Sequence, residues 1–326
     1  MACALHPTLR RYVSPSRRQQ ILETANRLGY APHHAARRLI RRRFQPPVQA
    51  FDQAGLIYFG GRAEFLDSVC LAMLLGAEQT FSELSASFLF INAGRPGGWE
   101  KVERTARSSG VDGWLVYGAL DDEMADRLKR GGLPFVVVGD HGCTQPVHCA
   151  RIDNVAVGRM AAQHLAARGH RRVAYLRGGD EDFVYQLEAL AGFRAAASEL
   201  GLDQDEELIL TPAQWVGQRV IDTLWKRDSK PTALFASEFD LATGVAQVLR
   251  DAGFAVPGDL EVLGYELSRV ESHANSTRLE APMAEVGRQG AALLHRIAVE
   301  AATTPQEIKI SPSLVKANTT EGTRVS

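Results

Sequence analysis

From Ala54 onward, short apolar runs alternate with stretches in which apolar positions recur every three to four residues. The runs are typical of buried β-strands and the stretches between them of amphipathic helices. Strands are predicted at AGLIYF, SASFLFI, GWLVY and LPFVVV, with helices around residues 65–80, 99–109 and 121–130. Strands that are apolar throughout and alternate with helices indicate a parallel sheet covered on both faces, so an α/β fold is predicted.

A second series of the same kind indicates a second, similar lobe. Strands are predicted at RRVAYLR, near 207–210, at TALFA and at LEVLGYE, with helices over 156–168, 186–200, 216–226 and 239–252. A long helix at about 283–302 and a final strand, EIKISPSLVK, follow. Open parallel sheets bind ligands at the carboxyl ends of their strands, which predicts a cleft between the lobes. The loops at these ends begin at Gly60, Gly139, Arg177, Ser237 and Glu266.

Residues 14–28, which precede the α/β body, have the pattern of a helix. Ser14 and Pro15 are favourable at a helix start. The apolar residues of one face are Ile21, Leu22, Ala25 and Leu28. The next segment, HHAARRLIRRR, is too short to be helical alone in water and is predicted to fold only against DNA, a partner copy or both.

Charge is distributed very unevenly along the chain, although the formal net charge is only −1. Residues 1–43 contain ten of the 37 basic residues, all arginine, and one of the 38 acidic residues, so this segment carries +9. The other 27 basic and 37 acidic residues give the body −10. A cationic end on an anionic body is typical of proteins that bind a polyanion, although arginines can also form only a solvated surface.

Other features exclude several protein classes. No apolar run is long enough to span a bilayer and no hydrophobic leader is present, which predicts a cytoplasmic protein without membrane attachment. Four cysteines in 326 residues do not form a disulfide framework. The segment from His141 to Cys149 holds two histidines and two cysteines, but an ordinary loop explains their spacing better than a zinc site. No motif of a common enzyme class occurs, so neither enzyme activity nor a metal or cofactor is predicted.

Several long segments, in the same order, resemble the LacI/GalR family of bacterial transcription regulators. They are YVSPSRRQQILETANRLGYAPHHAARRL, RIDNVAVGRMAAQHLAARGHRRVAYL, LAGFRAA, VPGDLEVLGYE, EVGRQGAALL and SPSLVKANTT. The resemblance implies a small all-α helix-turn-helix headpiece and a hinge helix. A two-lobed, type I periplasmic-binding-protein-like core of parallel sheets, which dimerises and binds a small effector, follows them in the family.

On this resemblance, a partial headpiece covers residues 1–44, with the hinge helix at about 33–40, and a linker covers 45–53. The core covers 54–326, with its first lobe at about 54–152 and 281–304 and its second at about 153–280 and 305–318. Family headpieces have roughly 19 more residues before the position of Met1, including the start of the recognition helix. Two explanations remain open: the start codon lies further upstream, or the product keeps only nonspecific phosphate and hinge contacts.

DNA contacts follow from the same resemblance. Leu39 lies where the family inserts an apolar wedge between base pairs in the minor groove, and Ala36 is the small residue beside it. Flanking arginines are expected to neutralise phosphates. The predicted DNA-binding residues are Arg10, Arg11, Arg17, Arg18, Tyr30, His33, Ala36, Arg37, Leu39 and Arg41.

The predicted effector site departs from the family pattern. Ala189 stands where the family has a ligand-binding arginine, and Glu238-Phe239 replaces an Asn-Asp pair. Glu266 replaces one aspartate, and Gly139, followed by Asp140, replaces another. The predicted effector-binding residues are Phe65, Asp140, Phe183, Tyr185, Trp215, Glu238 and Glu266. Aromatic walls with carboxylates suit a neutral polyhydroxylated ligand such as a sugar, or a cationic one. The other interpretation is that these side chains only pack or face solvent, or that the cleft has lost its ligand.

The predicted function is that of a homodimeric DNA-binding transcriptional repressor. A small molecule that prefers one arrangement of the lobes would change the affinity for double-stranded DNA by linkage. The alternative is a solute-binding module of the same core fold without DNA-binding function. The arginine-rich segment and the missing export signal argue against that alternative.

Overall fold

The computed structural model describes residues 14–28, 51–60, 68–108, 111–118, 120–177, 184–203, 209–210, 221–222, 224, 230–267 and 277–316. The twelve strands in these ranges are β1 Gln53–Phe59, β2 Ser87–Asn92, β3 Gly113–Gly118, β4 Phe135–Val138, β5 Cys149–Ile152, β6 Val173–Leu176, β7 Ile209–Leu210, β8 Ala233–Ala236, β9 Glu261–Glu266, β10 Arg278–Glu280, β11 Glu307–Ile310 and β12 Ser313–Val315. The eight helices in the same ranges are α1 Pro15–Arg27, α2 Ser68–Glu83, α3 Gly98–Arg107, α4 Asp122–Arg130, α5 Asn154–Ala167, α6 Val184–Leu200, α7 Phe239–Asp251 and α8 Met283–Glu300.

The first lobe is built on a sheet of order β11-β5-β4-β3-β1-β2, parallel throughout. Because successive side chains alternate between faces, Leu56 and Leu115 pack beneath α2 and α8, whereas Ile57 and Val116 pack beneath α3 and α4. Both faces are buried, which explains why these strands are apolar throughout.

The second lobe is built on a sheet of order β12-β10-β9-β8-β6-β7, in which β12 runs antiparallel to β10. Tyr175 and Phe235 lie on the face covered by α5 and α6. Leu234 and Val262 lie on the opposite face, beneath α7. Two sheets covered by helices confirm the predicted two-lobed α/β fold.

Each lobe contains a pair of helices that cross at small residues. In the first lobe, a Cβ added to Gly76 of α2 or Gly287 of α8 would lie 1.9 Å from a backbone oxygen of the other helix. In the second lobe, a Cβ at Gly158 of α5 or Gly192 of α6 would lie 1.8 or 2.1 Å from one. Only glycine permits these close crossings, and their recurrence shows that the lobes share one packing solution.

The end of the chain corrects the predicted lobe boundary. The expected single strand, EIKISPSLVK, is two strands separated by Ser311 and Pro312. β11 pairs with β5 in the first sheet, and β12 pairs with β10 in the second. The assignment of residues 305–318 to the second lobe is therefore wrong for β11, because an apolar pattern does not specify which strand will be its neighbour. The pattern also does not predict β5 and β10, which are short and each contain an arginine.

Candidate functional site: the interlobe cleft

Polar side chains of the two lobes meet where the chain passes between them. Asp140 follows β4 and Arg151 lies in β5, both in the first lobe, whereas Glu188 lies in α6 of the second lobe. Glu238 lies two residues after the end of β8 and is the N-cap residue of α7. Of these residues, Asp140 and Glu238 lie just beyond strand ends, where the sequence predicts a ligand cleft.

Arg151 links the two lobes through a hydrogen-bonded charge network. Its Nη1 and Nη2 donate to the two carboxylate oxygens of Glu188, at 2.6 and 3.0 Å. Its Nε donates to Glu307 Oε1 at 2.7 Å, and Nη1 lies 3.4 Å from Asp140 Oδ1. Bidentate charge-assisted bonds of this kind fix orientation as well as adding energy. In this network the guanidinium group belongs to Arg151, a residue of the first lobe. The position in α6 where the family has an arginine is occupied here by the buried Ala189.

Asn154, the first residue of α5, joins the same network. Its Nδ2 donates to both oxygens of Asp140, at 3.1 and 3.2 Å, and lies 3.1 Å from Glu188 Oε2. Burial raises the pKa of Asp140, although the positive charge of Arg151 opposes this shift. Burial also acts to raise the pKa of Glu188, but hydrogen bonds from Arg151 and Asn154 outweigh it and the net shift is downward. Glu188 is therefore the more strongly stabilised anion.

The loop that carries Asp140 is tied to α4 through Asp122. The Asp122 carboxylate accepts hydrogen bonds from Thr144 Oγ1 at 2.5 Å, from the Thr144 and Gln145 amides at 2.9 and 3.1 Å, and from Cys143 Sγ at 3.0 Å. These donors, that of Thr144 first, hold the pKa of Asp122 well below its usual range. The loop after β4 is thus fixed by an ionised carboxylate outside the cleft.

A second group of polar side chains lies wholly within the second lobe. Tyr185 Oη donates to Glu238 Oε1 at 2.8 Å, and Gln186 Nε2 donates to the same oxygen at 2.7 Å. Burial, with the nearby charge of Glu238, raises the pKa of Tyr185, and Asp140 adds to the effect. The electrostatic influence of Asp140 on Tyr185 places these predicted site residues in one neighbourhood. Glu238 is half-buried and bonded by neutral donors, so its charge is not neutralised by these contacts.

Glu266 occupies a different environment. It is only 3% exposed, and its Oε2 lies 2.5 Å from Nε of Arg278, which is also buried. Arg278 also pairs with Glu280. This buried carboxylate, held by an arginine of the neighbouring strand, joins β9 to β10, and the predicted contact of Glu266 with an effector stays a prediction.

Several predicted residues lie outside the described ranges. These are Phe65, Phe183 and Trp215 of the effector site, and Arg10, Arg11, Tyr30, His33, Ala36, Arg37, Leu39 and Arg41 of the DNA-binding segment. Arg17 and Arg18 lie in α1, where Arg17 is exposed.

Two of the histidines and cysteines between residues 141 and 149, Cys143 and His148, bond to different partners. Cys143 bonds to Asp122, and His148 Nδ1 accepts the Gln306 amide at 3.2 Å. Burial raises the pKa of Cys143 and of Cys149 to about 11, which keeps both thiols protonated. Within the described residues, no group of three side chains with metal-binding chemistry is assembled. No helix in the same ranges combines the length and apolar composition needed to cross a membrane.

Comparison with known proteins decides the family. A family model described as "Periplasmic binding protein-like domain" matches residues 162–320. The HTH-type transcriptional regulator CelR of Thermobifida fusca is 31% identical, over 86% of this chain and 83% of its own length. The chain belongs to the LacI/GalR family of transcriptional regulators. Another LacI/GalR relative, catabolite control protein A of Priestia megaterium, is 25% identical over 86% of this chain and 83% of its own.

Solved structures of LacI/GalR proteins share the fold. The transcriptional regulator CelR-cellobiose complex has a TM-score of 0.66 at 25% identity, covering 97% of this chain and 93% of that one. The Lac repressor bound to ONPG in the repressed state has a TM-score of 0.68 at 18% identity, covering 93% and 90%, which is a likeness of fold.

Sequence reasoning missed four residues of this LacI/GalR cleft. Arg151, Asn154, Gln186 and Glu188 make its main polar contacts between the described residues. The one available signal was Arg151, a charged residue in a short, otherwise apolar segment, CARI. Asn154 and Gln186 lie in the first turns of α5 and α6, and Glu188 lies in the next turn of α6, so none of them stands out from the polar residues that helices commonly carry.

Proposed function

We propose that this LacI/GalR protein represses transcription as a DNA-bound homodimer in the cytoplasm, without enzyme activity, and that a small molecule in the interlobe cleft changes its affinity for DNA. The observation that carries this proposal is the bridge from Arg151 to Glu188, because it makes the arrangement of the lobes depend on the polar groups of the cleft. A ligand that competes for these groups would favour one arrangement over the other. By linkage, such a ligand changes the free energy of DNA binding by as much as its own binding free energy differs between the two lobe arrangements.

The charge of the cleft favours a neutral polyhydroxylated effector or a cation over an anion. Arg151 is surrounded by the carboxylates of Asp140, Glu188 and Glu307, so this network has a net charge of −2 when all are ionised. All three guanidinium nitrogens already donate to carboxylates. Carboxylates accept hydrogen bonds, which suits the hydroxyl groups of a sugar. The related CelR was solved with cellobiose, which makes cellobiose a sensible first probe.

The dimer is proposed from an apolar stripe on the first lobe. Leu71 and Leu75 of α2 lie one helical turn apart and are 55% and 59% exposed. Two large apolar side chains on one exposed face are typical of a protein interface. The variant Leu71→Glu, combined with Leu75→Glu, is expected to shift the protein from dimer to monomer in light scattering and to weaken DNA binding. A variant that remains dimeric would place the interface elsewhere.

The DNA part is tested by salt titration of fluorescence anisotropy with a labelled duplex. If the arginine-rich segment binds phosphates, log K should fall linearly with log salt, and replacing Arg17 and Arg18 by alanine should reduce the slope by about 2. Arg107→Ala, an exposed arginine on α3, is the matched control and should leave the slope unchanged. A wild-type slope near zero would contradict DNA binding by this segment.

The effector part is tested by adding cellobiose and other sugars to the protein-DNA complex and to Glu238→Ala. A ligand of the cleft should shift both the melting temperature and the DNA affinity of the wild type, and both shifts should shrink in the variant. Ligand effects that survive Glu238→Ala unchanged would remove Glu238 from the site.

A further inference from the structure

Four buried polar atoms at the carboxyl end of the second sheet have no hydrogen-bond partner among the described residues. They are the hydroxyls of Tyr175 and Tyr265 and the side-chain oxygens of Gln186 and Asn154. Each of these residues is at most 1% exposed. Buried polar groups in proteins are nearly always paired, because a buried group without a hydrogen-bond partner destabilises the fold. Four such atoms in one region, unpaired among the described residues, therefore point to a bound ligand as their partner.

The two tyrosines lie on the same face of the sheet. Tyr175 of β6 pairs with Phe235 of β8, and Phe235 pairs with Leu263 of β9. Tyr265 is two residues beyond Leu263, so it lies on the same face and one step nearer the carboxyl end. This is the face covered by α5 and α6.

Gln186 lies above the tyrosines on α6. It is seven residues before Phe193, which places both side chains on one face of the helix. The ring of Phe193 packs 5.3 Å from the ring of Tyr175. Gln186 is therefore about two helical turns nearer to the cleft than Phe193, which contacts Tyr175.

The two amides connect this region to the cleft. Gln186 Nε2 donates a hydrogen bond to Glu238 Oε1 at 2.7 Å, and Asn154 Nδ2 donates one to Asp140 Oδ1 at 3.1 Å. Both amide oxygens are left as unpaired acceptors. Burial raises the pKa of Tyr265, with further contributions from Asp140 and Tyr185, so its hydroxyl remains a donor and lies within electrostatic range of both.

We propose that Tyr175, Tyr265, Gln186 and Asn154 form an inner subsite that binds hydroxyl groups of a neutral sugar. The two phenols donate and the two amide oxygens accept, which matches neighbouring hydroxyls that both accept and donate. A buried site of this type discriminates strongly against ligands that lack the hydroxyl, because its own groups would then stay unpaired. The inference rests on the proposed effector function and names the chemistry of that site's deepest part.

The test replaces one hydroxyl at a time and measures two quantities. In Tyr175→Phe and Tyr265→Phe, the affinity for whichever sugar of a neutral panel, cellobiose first, binds the wild type should fall roughly tenfold or more by calorimetry. The melting temperature of the sugar-free variants should stay the same or rise, since an unpaired buried hydroxyl is removed.

Thr232→Val is the matched control. Its hydroxyl is paired, with His170 Nδ1 at 2.8 Å, at the opposite end of the same sheet. This variant should show the reverse signature, with a lower melting temperature and unchanged sugar affinity.

Three results would overturn the inner subsite. One is unchanged sugar affinity in both phenylalanine variants, and another is a lower melting temperature of both sugar-free variants, which would mean that the hydroxyls are already bonded. The third is a wild type that binds no neutral sugar. If a cationic ligand binds the wild type and the phenylalanine variants but not Glu238→Ala, the proposed effector function is retained and this subsite is rejected. The salt dependence of DNA binding tests the DNA-binding part of the proposed function separately.

Discussion

Buried polar side chains lie at both ends of the second sheet, but those bonded to Glu261 and His170 at the amino end form a closed network, whereas two hydroxyls at the carboxyl end are unpaired among the described residues. At the amino end, His170 bonds to Thr232 at 2.8 Å and to Glu261 at 2.9 Å, and Arg168 Nε donates to the other Glu261 oxygen at 2.5 Å. At the carboxyl end, the hydroxyls of Tyr175 and Tyr265 have no partner among the described residues. A closed network maximises stability, whereas an open one reserves polar groups for a ligand. The second lobe therefore contains two kinds of buried polar side chain: those that stabilise the fold and those that are available to a ligand.

The largest effect should come from breaking the closed end. Glu261→Ala leaves His170 buried and Arg168 without its carboxylate, so we expect a loss of about 3 kcal/mol in the free energy of unfolding. Urea denaturation measures this loss. Sugar affinity of the folded protein should be unchanged, because the cluster lies at the opposite end of the sheet from the cleft. A stable Glu261→Ala protein with altered sugar binding would reverse the comparison.

At the open end, Glu188→Gln should alter lobe arrangement more than stability. It weakens the bidentate bond to Arg151, whose side chain is 13% exposed against 28% for Glu188, and we expect a loss of about 1 kcal/mol. Small-angle scattering should show a larger radius of gyration as the lobes separate.

Glu199→Gln provides the control for this variant. Glu199 makes a similar bidentate bond to Arg159, but both residues belong to helices of the second lobe. Neither stability nor radius of gyration should change measurably. An equal radius for Glu188→Gln and wild type would show that the bridge does not hold the lobes together.

The smallest effect should be a difference in pH dependence between Glu261 in the closed network and Asp140, the first-lobe residue of the cleft. Burial alone would raise the pKa of Glu261, but hydrogen bonds from His170 and Arg168 lower it overall, so its stabilisation is complete above about pH 5 and is lost as the pH falls through the folded pKa. Asp140 has a raised pKa, so the folded state holds its proton longer and stability declines as the pH rises from the unfolded pKa, 3.8, through the folded one.

Urea unfolding between pH 3 and 7 distinguishes the two contributions. Glu261→Gln should flatten the acid side of the profile, and Asp140→Asn should remove the decline. If the stability profiles of Asp140→Asn and the wild type against pH were parallel, this would argue against a raised pKa of Asp140 in the folded protein.

The sequence alone was sufficient for the α/β alternation, the two lobes and the family. It also predicts that Asp140, Tyr185 and Glu238 bind an effector, and that stays a prediction. Local apolar periodicity reports burial, and burial on both faces implies a covered parallel sheet. The charge asymmetry of residues 1–43 likewise needs no coordinates, because it is a property of composition.

Only the tertiary structure decided which strand lies beside β11 and which charges meet across the lobes. Sheet order depends on pairings between residues far apart in the chain, as for β11 and β5, in which Glu307 pairs with Cys149. For the same reason, Glu266 and Glu238 look alike in the sequence but differ in the structure. Glu266 forms a buried ion pair with Arg278, whereas Glu238 accepts hydrogen bonds from neutral donors at the cleft. A side chain's identity sets what it can bind, but its three-dimensional neighbours determine whether that capacity is already used.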